Sequence, residues 1–113
     1  MRLFSKIERG CAWLRRRRRL AGVAVVEYVN DVPDRTGGML FIVVRGGLAR
    51  RAFLDCPCRC GRRLELNLSP QRSPFWVVHT TGNKATLRPS VWVPADQCGS
   101  HFFVTASRIK WVG

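Results

Sequence analysis

Cys56, Cys58 and Cys60 fall within five residues of one another, and Cys98 follows about forty residues later in Gln97-Cys-Gly-Ser-His101. Any fold open to this chain must join these clusters or leave the thiols as small buried hydrophobes. Four of the five cysteines and one of the two histidines lie in these two stretches. A metal ion tying them together accounts for the spacing, and zinc is the default for a mixed thiolate and imidazole set.

The first cluster also sets a local condition. In an extended strand, side chains two apart share a face and stand ~7 Å apart, so Cys56 and Cys60 would be ~13 Å apart. Sulfurs on one tetrahedral zinc lie ~2.3 Å from the metal. Three thiolates on one ion therefore require a turn within residues 56–61, which Pro57 and Gly61 can shape. Cys98 and His101 form a Cys-x-x-His pair opened by Gly99. Four ligands must come from five candidates. The preferred set is Cys56, Cys58, Cys60 and Cys98, with His101 free; its rival exchanges one of the first three for His101. Four protein ligands make a closed, structural site. The chain has no His-Glu-x-x-His, and Asp55 is the only acid adjoining the cluster, so a hydrolytic metal is the weaker reading.

With 113 residues the chain suffices for one domain whose modest core gains from a metal staple. Its net charge is +13, and residues 1–20 hold eight basic side chains against Glu8 alone. Leu3, Ile7, Cys11 and Leu14 recur near helical spacing, which predicts a basic helix over residues 2–19. Arg15, Arg16, Arg17, Arg18 and Arg19 read as a solvated basic arm or as a nucleic-acid contact. Five phosphate contacts would give a log–log salt slope of about −4.5 on duplex DNA. No aromatics interleave with these arginines as a base-stacking surface requires. The apolar run 20–26 stops at Glu27, too short to span a bilayer and without a cleavage signal. An odd cysteine count with Cys11 isolated suits a reducing compartment, and so a cytoplasmic location.

Downstream, residues 23–29 are β-branched, 39–44 form an apolar run suited to a central strand buried on both faces, and 49–55 run into the cysteine cluster. Leu64, Leu66 and Leu68 alternate with Arg63, Glu65 and Asn67 as in a half-buried strand. Residues 75–80 and 85–88 flank a hairpin turn. The proline-bracketed piece 89–94 predicts an edge strand, and 101–106 with 108–112 a last hairpin. The expected architecture is mainly β: a small zinc-stapled antiparallel sheet or barrel-like domain over residues 22–113, behind a basic N-terminal helix or arm over 1–21.

At these residues the chain resembles a family of small bacterial proteins encoded beside ubiquitin-like proteins and relatives of ubiquitin-activating and ubiquitin-conjugating enzymes. The family pattern is a Cys-x-Cys-Gly-Cys-Gly cluster after a strand, a polar loop with a Trp, Leu-x-Pro-Ser, Cys-x-Ser-His-aromatic and a terminal Trp. Here these are Cys56-Pro-Cys-Arg-Cys-Gly61, Trp76, Leu87-Arg-Pro-Ser90, Cys98-Gly-Ser-His-Phe102 and Trp111. Arg59 stands where the family has glycine. The resemblance implies work in a ubiquitin-like conjugation pathway, with the ubiquitin-like protein and its conjugation enzymes as partners. Its most concrete form is a peptidase acting at the ubiquitin-like protein's C-terminal tail.

Peptide hydrolysis without a catalytic metal needs an activated nucleophile and a base. The candidates are Ser90 as nucleophile and His101 as base, with Ser100 or a backbone N–H at the oxyanion. His79 is the alternative base. Trp76, Trp92 and Trp111 could line a groove for a tail or fill the core. The competing readings are a non-catalytic zinc module that recruits conjugation components and the nucleic-acid binder.

Overall fold

The computed structural model describes residues 15–112. Among them, eight strands form two four-stranded sheets: β1 (Gly22–Val26), β2 (Met39–Arg45), β3 (Leu48–Asp55) and β4 (Arg63–Asn67), then β5 (Val77–Thr81), β6 (Lys84–Trp92), β7 (His101–Thr105) and β8 (Arg108–Trp111). All neighbours are antiparallel except β1 and β2, which run parallel, a departure from the all-antiparallel expectation. The loop 27–38, with a short 3-10 turn at Val29–Asp31, carries the chain back to the start of β2 and forces that direction.

The two sheets are joined along both flanks. The Trp76 N–H bonds the Asn67 carbonyl at 2.8 Å, linking β4 to the start of β5. On the other flank Arg19 pairs with Arg108 of β8, and the Ile109 N–H reaches the Arg18 carbonyl at 2.9 Å. The chain then crosses to the first sheet as β1. The result is a barrel-like closure around one main core, which includes Leu40, Ile42, Leu54, Leu87, Phe102 and Val104.

β2 is covered on both faces because its apolar run alternates into two clusters. Leu40 and Ile42 face the main core; Val43 packs with Val32 and Phe53 on the far side. The Arg63 guanidinium lies 4.8 Å over the Phe53 ring and lids that second cluster. Leu66 and Leu68 are buried and Leu64 is half-buried, as their alternation requires.

The basic helix is not present at residues 15–19; among the described residues there is no α-helix. Residues 2–14 of the expected helix lie outside the described residues. The reason at 17–20 is competition from the sheet. The Arg17 N–H bonds the Pro57 carbonyl at 2.7 Å, the Leu20 N–H bonds the Ser107 carbonyl at 2.8 Å, and the Trp111 indole N–H bonds the Arg17 carbonyl at 3.1 Å. The Arg16 guanidinium sits 4.3 Å over the Trp111 ring. This part of the arginine run is a strap on the domain rather than a free arm.

The piece 89–94 also differs from expectation. It continues β6, which lies inside its sheet between β5 and β7. Pro89, which has no N–H to donate, falls at the register shift between Leu87 and Val91, where the ladder is already interrupted. Past Arg88, however, β5 has ended, so among the described residues this part of β6 has β7 as its only strand neighbour.

No helix among the described residues is long and apolar enough to cross a membrane.

Candidate functional site

β3 delivers Asp55 and Cys56 to the end of the first sheet, where the chain turns back sharply. The Cys56 N–H bonds the Arg62 carbonyl at 2.8 Å, and the Arg59 N–H bonds the Cys56 carbonyl at 2.9 Å. Arg59 adopts φ 67° and Gly61 φ 95°, both in the left-handed region. Cys98 comes from the β6–β7 loop, where the Gln97 and Gly99 N–H groups bond the Pro94 carbonyl at 3.0 and 3.1 Å.

These two turns bring four sulfurs together. Cys56, Cys58, Cys60 and Cys98 have their Sγ atoms all within 4.8 Å of one another. Cys56 Sγ is 3.4 Å from Cys58 Sγ and 3.7 Å from Cys98 Sγ. A tetrahedron of ~2.3 Å metal–sulfur bonds has edges of ~3.8 Å. The four thiols can therefore hold a metal ion. Burial raises the Cys56 and Cys60 thiols above their ordinary range. Burial raises Cys98 as well, but hydrogen bonds from Ser100, Cys56 and Cys58 outweigh it and lower Cys98 to about 7. A cation would compensate the buried charge of the full thiolate set.

Ser100 is buried beside the sulfurs, its Oγ 3.3 Å from Cys98 Sγ and 3.6 Å from Cys56 Sγ. It can donate to a thiolate there, so the expectation that it serves an oxyanion does not fit its position. Asp55 is committed elsewhere: one carboxylate oxygen accepts the Thr36 N–H at 3.1 Å and the Gly37 N–H at 3.3 Å.

His101 is the next residue and opens β7. Because strand side chains alternate, Ser100 faces the sulfurs while His101 faces the opposite side of the sheet. There its Nε2 lies 2.8 Å from Ser90 Oγ of β6. The imidazole stacks on the Trp92 indole, with ring centroids 4.4 Å apart and planes within 4°. Trp92 is 71% exposed, so the pair sits on an open face. The Ser90 carbonyl accepts the Trp76 indole N–H at 3.2 Å. His79 pairs with Thr86, four residues along β6 from Ser90, and is exposed.

The tryptophans divide their roles. Trp111 packs inward, its ring 5.4 Å from Phe102. Trp92 and Trp76 flank Ser90. The part Trp92 plays against His101 was missed from sequence, although Ser90 and Trp92, two apart on a strand, must share a face.

Arg59 takes a conformation that costs a non-glycine residue about 1–2 kcal/mol. Glycine relieves this but loses about 0.4–1 kcal/mol through the freedom it gives the unfolded chain. Arg59→Gly is therefore expected to raise stability by roughly 0.5 kcal/mol, readable as a small upward shift in thermal midpoint, with metal content unchanged.

A cysteine turn that can hold a metal and a serine–histidine contact on an exposed sheet face set the context for comparison. The family model described as the bacterial ubiquitination-like system serine protease (BubE) matches residues 26–112, which span both turns and all eight strands but the first four residues of β1. No curated protein and no solved structure matches the chain. With nearly the whole described fold covered by that one model, the chain belongs to the bacterial ubiquitination-like system serine protease family.

Proposed function

We propose that this protein is a serine peptidase that acts at the C-terminal tail of a bacterial ubiquitin-like protein, with Ser90 as nucleophile and His101 as base. The observation that carries this reading is the 2.8 Å contact between Ser90 Oγ and His101 Nε2 on an open face. At that distance the imidazole can take the hydroxyl proton as the oxygen attacks a carbonyl, and return it to the leaving amine. Trp92 holds the imidazole plane by stacking, the orienting part that a carboxylate plays in a triad. A backbone N–H serves the oxyanion in this scheme, because Ser100 is occupied at the sulfurs.

The metal is zinc in this reading, held by Cys56, Cys58, Cys60 and Cys98. Four thiolates fill a tetrahedral shell, so its role is structural. It fixes the loop that ends at Ser100 and so sets where His101 begins β7.

The test is to incubate the purified protein with a ubiquitin-like precursor extended beyond its tail and read the products by mass. Release of the extension is expected. Tight binding with no release would support a recruiting module instead.

A further inference from the structure

Among the described residues the barrel is not closed along its whole length. β5 begins at Val77, paired with Arg88. β6 runs four residues further, to Trp92. Across from that extension lies β4, and between them is an open cleft of about 270 Å³. Its walls are Leu64 and Leu66 of β4, the Trp76 ring, and Trp92, Val93 and Pro94.

The backbone alternation shows which groups face this cleft. The Val93 N–H bonds the Ser100 carbonyl at 2.7 Å. In an antiparallel ladder bonded and non-bonded pairs alternate, so Trp92, opposite His101, is a non-bonded pair with β7. Its N–H and C=O therefore point away from β7 and into the lane that β5 has left. The Ser90 carbonyl points the same way and is met there by the Trp76 indole N–H. Among the described residues, Trp92 thus offers one donor and one acceptor on a strand edge, two residues from Ser90.

The charges at the cleft are already engaged. Arg63 lies over Phe53 and donates to the Pro33 carbonyl at 2.8 Å, and Glu65 pairs with Arg51 at 2.8 Å. The cleft therefore suits an uncharged extended chain better than a phosphate or a polyanion.

We propose that this cleft binds the substrate tail as an added strand in the lane beyond β5. This rests on the peptidase reading and deepens it. The tail pairs its backbone with the N–H and C=O of Trp92, places one large apolar side chain among Leu64, Leu66 and Trp76, and presents its scissile bond at Ser90. Strand addition takes affinity from main-chain hydrogen bonds and specificity from pockets for alternate side chains. The substrate class is an extended, flexible peptide with an apolar residue near the scissile bond; a folded segment does not fit between two strand edges.

The test measures binding separately from turnover. A fluorescent peptide spanning the ubiquitin-like protein's tail junction is titrated into the Ser90→Ala protein by anisotropy, and the same peptide is offered to the wild type for cleavage. N-methylation of the one amide opposite the Trp92 carbonyl is expected to weaken binding about tenfold, and of its sequence neighbours less than about twofold. In the Ser90→Ala background, Leu64→Asp is expected to weaken binding about tenfold, with Leu64→Met restoring it. The methylation series uses an unaltered cleft and so stands even if Leu64→Asp does not fold. Binding that responds equally at every amide and ignores Leu64 overturns the cleft, whether or not cleavage occurs. Binding with the expected pattern but no wild-type cleavage keeps the cleft and sinks the peptidase reading.

Discussion

Cys58→Ser and Cys98→Ser are each expected to lose the metal and with it the fold. The two cysteine turns lie 42 residues apart, measured between Cys56 and Cys98, and each opens or closes a strand. An ion joining them closes a long loop in a domain with a modest core. Binding energy for a structural zinc is on the order of 10 kcal/mol, comparable to the whole stability of a domain. Removing one of four converging sulfurs leaves an open shell and the remaining thiols without their cation. The expected result is one zinc per chain by elemental analysis in the wild type, and none, with loss of the cooperative melt, in either variant. Acid has the same direction of effect, since protons compete with the ion for the thiolates. Cys11 lies outside the described residues and apart from both clusters in sequence; Cys11→Ser serves as the control, with metal and melt retained. A folded, metal-free wild-type preparation would refute the site.

Ser90→Ala and His101→Ala are expected to abolish cleavage while leaving metal and fold in place. In a serine–histidine pair either loss removes the same proton transfer, so the single and double variants should fall together, by about a thousandfold or more. The structure makes the metal half of this prediction sharp. His101 turns its Nε2 to Ser90, and the converging set is made of four sulfurs. Retained zinc in His101→Ala separates a base from a ligand in a single preparation. Lost zinc in that variant would return His101 to the metal shell.

Much of the sheet was legible because its periodicity is local. Leu64, Leu66 and Leu68 alternate in the sequence and are inward or half-buried in the fold. The run 39–44 reads as a strand covered on both faces, and Val43 and Ile42 lie in separate clusters. What the sequence concealed depends on partners far along the chain. Residues 17–20 carry no strand signal of their own; their direction comes from the carbonyls of Pro57 and Ser107, from Ile109 and from the Trp111 indole. Helical spacing in the preceding residues cannot reveal that competition. The parallel pairing of β1 with β2 has the same character, since it depends on the route of the loop rather than on any strand residue.

The candidate site divides along the same line. A turn within residues 56–61 follows from the sulfur spacing, and the Arg59 φ of 67° is one form that such a turn can take. That Ser90 meets His101 needed the β6–β7 register, which sets Trp92 against His101 beyond the register shift between Leu87 and Val91. Ser100 illustrates the limit of reading by proximity in sequence. It neighbours His101, yet alternation sends it to the sulfurs instead of the open face.

Covalent labelling of the wild type with a fluorophosphonate, followed by peptide mass mapping, tests directly whether Ser90 is the nucleophile. The expected result is one adduct per chain, on Ser90, absent from His101→Ala although that variant keeps its zinc. An unlabelled Ser90 in a folded, metal-loaded protein that nonetheless cleaves the ubiquitin-like precursor would rule out Ser90 as the nucleophile.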